Sequence, residues 1–202
     1  MVKLETETMS LGVVELRGIA IPAEYEPLPD PTEFGDLAPA RRLYRAIGQE
    51  PTRNRPSSEL LIRRIRKGLG LPRINALVDA INHCSATLAL PFGCYDRDRI
   101  RGEVVVRLGR EGEAFEGVGH RIVHVADRYA ACDDEGPFGN PTMDSMRTRI
   151  TPDTRNALVL VYAPADHDLR RLPWVAAVLG AVAGGEVRSF PLHSRDGDLP
   201  RV

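Results

Sequence analysis

Residues 136–151, GPFGNPTMDSMRTRIT, crowd an amide, a carboxylate, hydroxyls and guanidinium groups into one stretch, directly before the apolar run ALVLVYAP at 157–164. Asn140, Thr142, Asp144, Ser145, Arg147 and Thr148 together offer both donors and acceptors, which is what a small polar binding site requires. Asn140 before Pro141 favours a turn, and the turn presents the residues after it close to the strand. One reading is a solvated loop whose side chains satisfy their own backbone. A length of about fifteen residues favours the other reading, a binding loop or lid. A second polar set recurs at helical spacing: Asn75, Asp79, Asn82 and Ala86 form one stripe beside an apolar stripe of Leu77, Ile81, Cys84 and Leu88. Asn75 fits a helix N-cap equally well, and Asp79 and Asn82 fit a solvent-facing surface. Cations concentrate at Arg63, Arg64, Arg66, Lys67 and Arg73, as either a solvated helix face or a phosphate-contacting patch.

Other signatures are weak or missing. His120 and His124 stand four apart in HRIVH, but the segment reads as a strand and no third ligand is evident, so no metal is expected. There is no Gly-rich phosphate loop and no G-x-S-x-G elbow, and no cofactor is expected. Cys84 lies on the apolar stripe and reads as a core thiol. Three cysteines, without a C-x-x-C pair, fit a reducing cytoplasm and a cytoplasmic location. No apolar run reaches about 18 residues and MVKLETETMS lacks the core of a signal peptide, so no membrane partner is expected. A net charge of −1 and 5% aromatic residues argue against a broad nucleic-acid surface. No DNA partner is expected, and any RNA contact should be local.

The elements that must position these groups are legible in outline. At 202 residues, 43% hydrophobic and 27% charged, the chain suits one domain, or one domain with an N-terminal extension. Residues 11–21 read as a strand and the Pro-rich acidic stretch after it as loop. Helices are predicted over 40–48, from Ser57 or Ser58 as cap to the Gly68, Gly70, Pro72 stop, and over 75–90. Residues 103–109, 113–117, 121–126 and 129–134 read as a run of hairpin-like strands. Then follow the polar loop, the buried strand 157–164, a helix from about Pro173 to Gly184, and a strand over 186–192. The tail is polar. Strand, helices, strand run, helix, strand is an α+β order.

RPSSELLIRRIRKGLGLPRINALVDAINHCSATLALPFGCYD runs straight into EVVVRLGREGEAFEG. With Ile74-Asn75, Val78-Asp79, Asn82, Pro91, Tyr95-Asp96, Val105-Val106-Arg107-Leu108 and Glu111-Gly112-Glu113, and with the Thr-rich turn RTRITPDTRNALVLV, this ordered set resembles the B3/B4 domain of the phenylalanyl-tRNA synthetase β subunit and its free-standing relatives. The likeness covers roughly residues 44–164. It implies a single B3/B4-like α+β domain over 40–192, a mixed or antiparallel sheet packed with helices, preceded by a strand and loop over 1–39 and followed by a tail over 193–202. The synthetase domain hydrolyses tyrosine mistakenly attached to the phenylalanine tRNA, so the resemblance implies a pocket between the helix of Asn82 and the polar loop. Asn82 and Asn140 would grip the amino acid or the terminal ribose. Asp144 would bind the ammonium or orient water, which makes these three the catalytic candidates. Asn75, Asp79, Thr142, Ser145, Arg147 and Thr148 would contact substrate, and Arg63, Arg64, Arg66, Lys67 and Arg73 the acceptor stem. The expected partner is the tRNA acceptor end, with a small amino-acid-like ligand or a binding module without turnover as alternatives. Two departures stand out: bacterial-type synthetases carry a His where this chain has Gly93 and a Glu near Leu160.

Overall fold

A computed structural model of the protein describes residues 1–193; the tail expected over 193–202 lies, beyond His193, outside the described residues. The chain is α+β. Its elements in order are β1 (Val2–Leu4), β2 (Met9–Arg17), α1 (Ala38–Arg45), α2 (Ser57–Arg66), α3 (Ala76–Leu88), β3 (Phe92–Asp96), β4 (Val104–Leu108), β5 (Ala114–Gly117), β6 (Arg121–His124), β7 (Tyr129–Asp133), β8 (Gly136–Gly139), β9 (Asn156–Pro164), α4 (Leu172–Ala183) and β10 (Glu186–His193).

One antiparallel sheet, β10-β2-β9-β3, forms the centre, and a second sheet, β1-β4-β7-β8, is mixed because β1 pairs with β4 in parallel. The β5-β6 hairpin stands apart. The strand run 103–134 was therefore expected as successive hairpins, but β4 pairs with β1 and β7 instead of with β5.

Strands β2, β9 and β3 of the central sheet are buried on both faces, while β10 is a largely exposed edge, which is why β9 reads as an unbroken apolar run. Val159 and Val161 of β9 and Val14 and Leu16 of β2 pack with Leu77, Ile81 and Cys84 of α3 and Val175 and Leu179 of α4. Their alternates, Leu158, Leu160 and Tyr162 with Leu11 and Val13, pack against Val104, Val106, Tyr129 and Phe138 of the second sheet. The result is three layers, helices α3 and α4, central sheet and second sheet, with α1 packed on the second-sheet side through Leu43 and Tyr44. The apolar stripe expected on α3 does face the core, and Cys84 is a fully buried thiol whose burial pushes its pKa up to about 12.

Three boundaries differ from the sequence reading for local reasons. The first long strand ends at Arg17, because Gly18 takes a left-handed φ of +63° and turns the chain out of the sheet. Neither Ser57 nor Ser58 caps α2; Pro56 holds that place, and the Ser57 hydroxyl donates instead to the Pro141 carbonyl at 3.0 Å. Residues 136–139 are not loop but strand β8, paired with β7. Among the described residues no helix is long and apolar enough to cross a membrane.

Candidate functional site

A cavity of about 370 Å³ opens between α2, α3, β3 and the turn over residues 142–144. The start of α2 contributes Leu60 and Leu61, and α3 contributes Val78, Ile81, Asn82 and Ser85. Those four α3 residues follow i, i+3, i+4, i+7 spacing, which defines one helix face. The expected polar stripe was offset from that face by one position. Only Asn82 of the stripe reaches the cavity.

The other members of the stripe face elsewhere. Asn75 is the α3 N-cap, with extended backbone and a side-chain oxygen accepting from the Val78 amide at 3.0 Å. Asp79 is buried away from the cavity. Its carboxylate accepts from the Tyr25 hydroxyl at 2.7 Å and the Ile74 amide at 2.8 Å, with Arg73 at 3.7 Å. Ala86 packs under α2 with Ile62.

The opposite wall is the Asn-Pro-Thr turn. Asn140 Oδ1 accepts from the amides of Thr142 and Met143, both at 2.8 Å, closing an Asx turn. Its oxygen is thereby engaged in the backbone, and Asn140 shapes the wall without lining the cavity. Beyond the turn, Ser145 Oγ and Thr148 Oγ1 bond each other at 2.8 Å, and both residues are buried. Arg147 forms a bidentate pair with Asp133 at 2.8 and 2.9 Å and donates to the Arg99 carbonyl. These three expected contact residues are fasteners, since short polar side chains beside free backbone groups bond locally. They hold the loop taut, so that Asp144 and Thr142 reach the cavity. Thr142 Oγ1 is bonded to the Tyr44 hydroxyl at 2.6 Å.

Asp144 is the chemical centre of this wall. Its Oδ2 accepts from the Cys94 amide at 3.3 Å and the Cys94 thiol at 3.4 Å. Burial pushes the carboxyl up to about 7, while hydrogen bonds from Cys94 and Tyr95 pull it partway back. The Cys94 thiol is itself raised by burial and by the adjacent carboxylate, so it stays protonated and can donate. Cys94 was missed in the sequence; the signal was the Phe92, Cys94 alternation in FGCYD, which places both on the cavity face of β3. Across the cavity, the Asn82 amide has no hydrogen-bond partner among the described residues. The remaining lining is mostly apolar, and Leu60, Ile74 and Val118 at the mouth are 46%, 64% and 46% exposed. Such a rim favours an occupant with an apolar part.

The two departures from the synthetase pattern meet in space. Gly93 of β3 and Leu160 of β9 are direct partners in the sheet. Both lie on the face turned away from the cavity, where Leu160 packs with Tyr95, Tyr162 and Phe138. A Cβ on Gly93 would lie 2.7 Å from Cζ of Tyr95, and a Cβ on Gly139 would lie 2.5 Å from Cε1 of the same ring. Tyr95, fully buried and bonded to the Tyr162 hydroxyl at 2.9 Å, thus fills the space that a side chain at 93 would need.

The cations of α2 sit at its far end. Arg63, Arg64, Arg66 and Lys67 are exposed, as is Arg73 beyond the helix. Arg64 donates to the Leu69 and Gly70 carbonyls, Arg66 lies 5.5 Å from the Phe34 ring centre, and Arg73 approaches Asp79. His120 pairs with Glu116 across the hairpin turn, and His124 is exposed. No group of three or more His, Cys, Asp or Glu residues that could hold a metal occurs among the described residues.

A family model described as the B3/4 domain matches residues 39–172. The phenylalanine–tRNA ligase β subunit of Bartonella henselae is 30% identical over 122 residues, which is 59% of this chain and 15% of that protein. The same subunit of Brucella abortus is 33% identical over 86 residues, 42% of this chain and 11% of that protein. The chain thus spans only about 15% of the length of the first of these relatives. Among solved structures, an N-terminal fragment of the Pyrococcus horikoshii phenylalanyl-tRNA synthetase β subunit superimposes with a TM-score of 0.48 at 15% identity, over 93% of this chain and 50% of that one. With more than half of its length matched, the chain belongs to the B3/4 domain family.

Proposed function

We propose that the cavity receives the acyl group of an aminoacyl ester at the acceptor end of a tRNA and hydrolyses that ester. The supporting observation is Asp144, a carboxyl raised to about 7 at the wall of a mostly apolar cavity. A base with its pKa near the working pH is matched to proton transfer, and burial is the usual way to produce one. In the reaction, the Asp144 carboxylate takes a proton from water while the water oxygen attacks the ester carbonyl carbon. The Asn82 amide donates to the carbonyl oxygen as negative charge gathers there. The carbon–oxygen bond to the ribose then breaks, and the ribose oxygen takes the proton back from Asp144. The apolar wall formed by Leu61, Val78 and Ile81 admits the amino acid side chain. Arg63, Arg66 and Lys67, exposed on α2, contact the RNA backbone electrostatically.

The test is release of amino acid across a panel of mischarged tRNAs. At least one should be hydrolysed, and Asp144→Asn should slow it by about 100-fold or more, with Asn82→Ala slowing it by about 100-fold. Absence of release from every member overturns the hydrolytic reading. A second reading, binding without turnover, is favoured by the tyrosine-filled face behind Gly93 and Leu160. It predicts uncharged tRNA binding with a steep salt dependence and no release.

A further inference from the structure

Behind the Asn-Pro-Thr turn lies a second hollow of about 240 Å³, which shares Leu60 and Thr142 with the cavity as a common wall. Three arginines line it, Arg53, Arg55 and Arg128, and no Asp or Glu does. Across the whole chain 27 Lys and Arg balance 28 Asp and Glu, so this hollow is a local excess of positive charge and not a reflection of a basic protein. Only part of that charge is compensated from behind. The guanidinium groups of Arg53 and Arg128 have no hydrogen-bond or ion-pair partner among the described residues. Arg55 approaches Glu59 only at 3.8 Å, and Glu59 already accepts a bidentate pair from Arg41 at 3.0 and 3.0 Å. Neutral donors complete the lining: the amides of Gln49 and Asn54, and the Tyr44–Thr142 hydroxyl pair.

We propose that this hollow is a binding site for the phosphate group of a nucleotide. Guanidinium forks match tetrahedral oxyanions in geometry as well as charge. The three arginines come from two separate loops, the 47–56 segment and the turn before β7, so they converge on the ligand from different sides. Side-chain amides and hydroxyls can hold the ester oxygens or the sugar. The site stands whether or not the neighbouring cavity hydrolyses anything. If it does, the shared wall lets one molecule place a phosphate in the hollow and an acyl group in the cavity.

The test uses the full chain and three probes: inorganic phosphate, adenosine monophosphate and a short single-stranded RNA, each titrated by calorimetry. Phosphate and the mononucleotide should bind saturably and compete with each other. Arg53→Gln, Arg55→Gln and Arg128→Gln should each weaken binding about tenfold, the effect of losing one charge-assisted hydrogen bond. Arg188→Gln removes an exposed cation elsewhere and should change nothing. RNA that binds more tightly than the mononucleotide, and loses that advantage in the triple arginine variant, identifies a strand as the source. Equal binding identifies a free nucleotide. Saturable binding that survives the triple variant, or no saturable binding by any probe, overturns the site. Because binding needs no turnover, a protein inactive toward every ester still tests this inference.

Discussion

Replacing Asp144 by Asn should make the protein more stable at pH 8 and equally stable at pH 3 or below. Burial raises the Asp144 carboxyl from 3.8 to about 7. The unfolded chain therefore gives up this proton near 4, whereas the folded chain keeps it to about 7. Between those values the native state holds the extra proton, so stability falls as pH rises. At 1.36 kcal/mol for each pH unit the loss at pH 8 is at most ~4 kcal/mol. Asp144 is only half-buried, open to the cavity on one side, and partial solvation brings the loss nearer ~2 kcal/mol. Asn keeps the shape and an acceptor for Cys94 while removing the charge. The variant should then melt roughly 4–8 °C above the parent at pH 8, with the two melting curves converging as pH drops through 7 toward 3. Thermal melts of both proteins at half-unit pH steps measure this. A variant that is less stable at pH 8, or a difference that does not change with pH, would refute the claim that burial controls this carboxyl.

Two other outcomes follow from the same geometry. Gly93→His, which introduces the residue bacterial-type synthetases carry there, should destabilise by ~1–3 kcal/mol through overpacking against Tyr95; a urea midpoint equal to that of the parent would show the Tyr95 ring is not fixed. Glu113 is held down at about 2, chiefly by its pair with Arg107, so it contributes stability above 4.5 that is lost as pH falls through 2. Glu113→Gln should accordingly cost ~1–3 kcal/mol at pH 7 and well under ~1 kcal/mol at pH 2, read from urea unfolding at both values.

The parts that were legible in the sequence are those with a strong period or a strong breaker. Helix α3 is visible from Leu77, Ile81 and Cys84 and from Pro91 beyond it, and β9 from its unbroken apolar run. Strand β3 was not visible. Five residues containing a glycine are too short for the Phe92, Cys94 alternation to stand out from chance, yet this strand delivers Cys94 to Asp144 and sets Gly93 against Leu160. Spacing also placed polar residues near the site without separating ligand groups from fasteners. Asn140, Ser145, Arg147 and Thr148 lie within nine positions of one another, and whether each bonds its neighbours or faces the cavity depends on side-chain direction. The arginine hollow had no signal at all, because Arg53 and Arg128 are far apart in the chain and meet only through the packing of loop against sheet.

Carbon-13 NMR of the Asp144 carboxyl, recorded together with the Asn82 side-chain amide, tests the proposed site most directly. The probe is a stable amide analogue of an aminoacyl nucleoside. The carboxyl should titrate near 7 in the free protein, and the analogue should shift both resonances with one saturation curve. A carboxyl titrating near 4, with neither resonance responding to the analogue, would contradict the account.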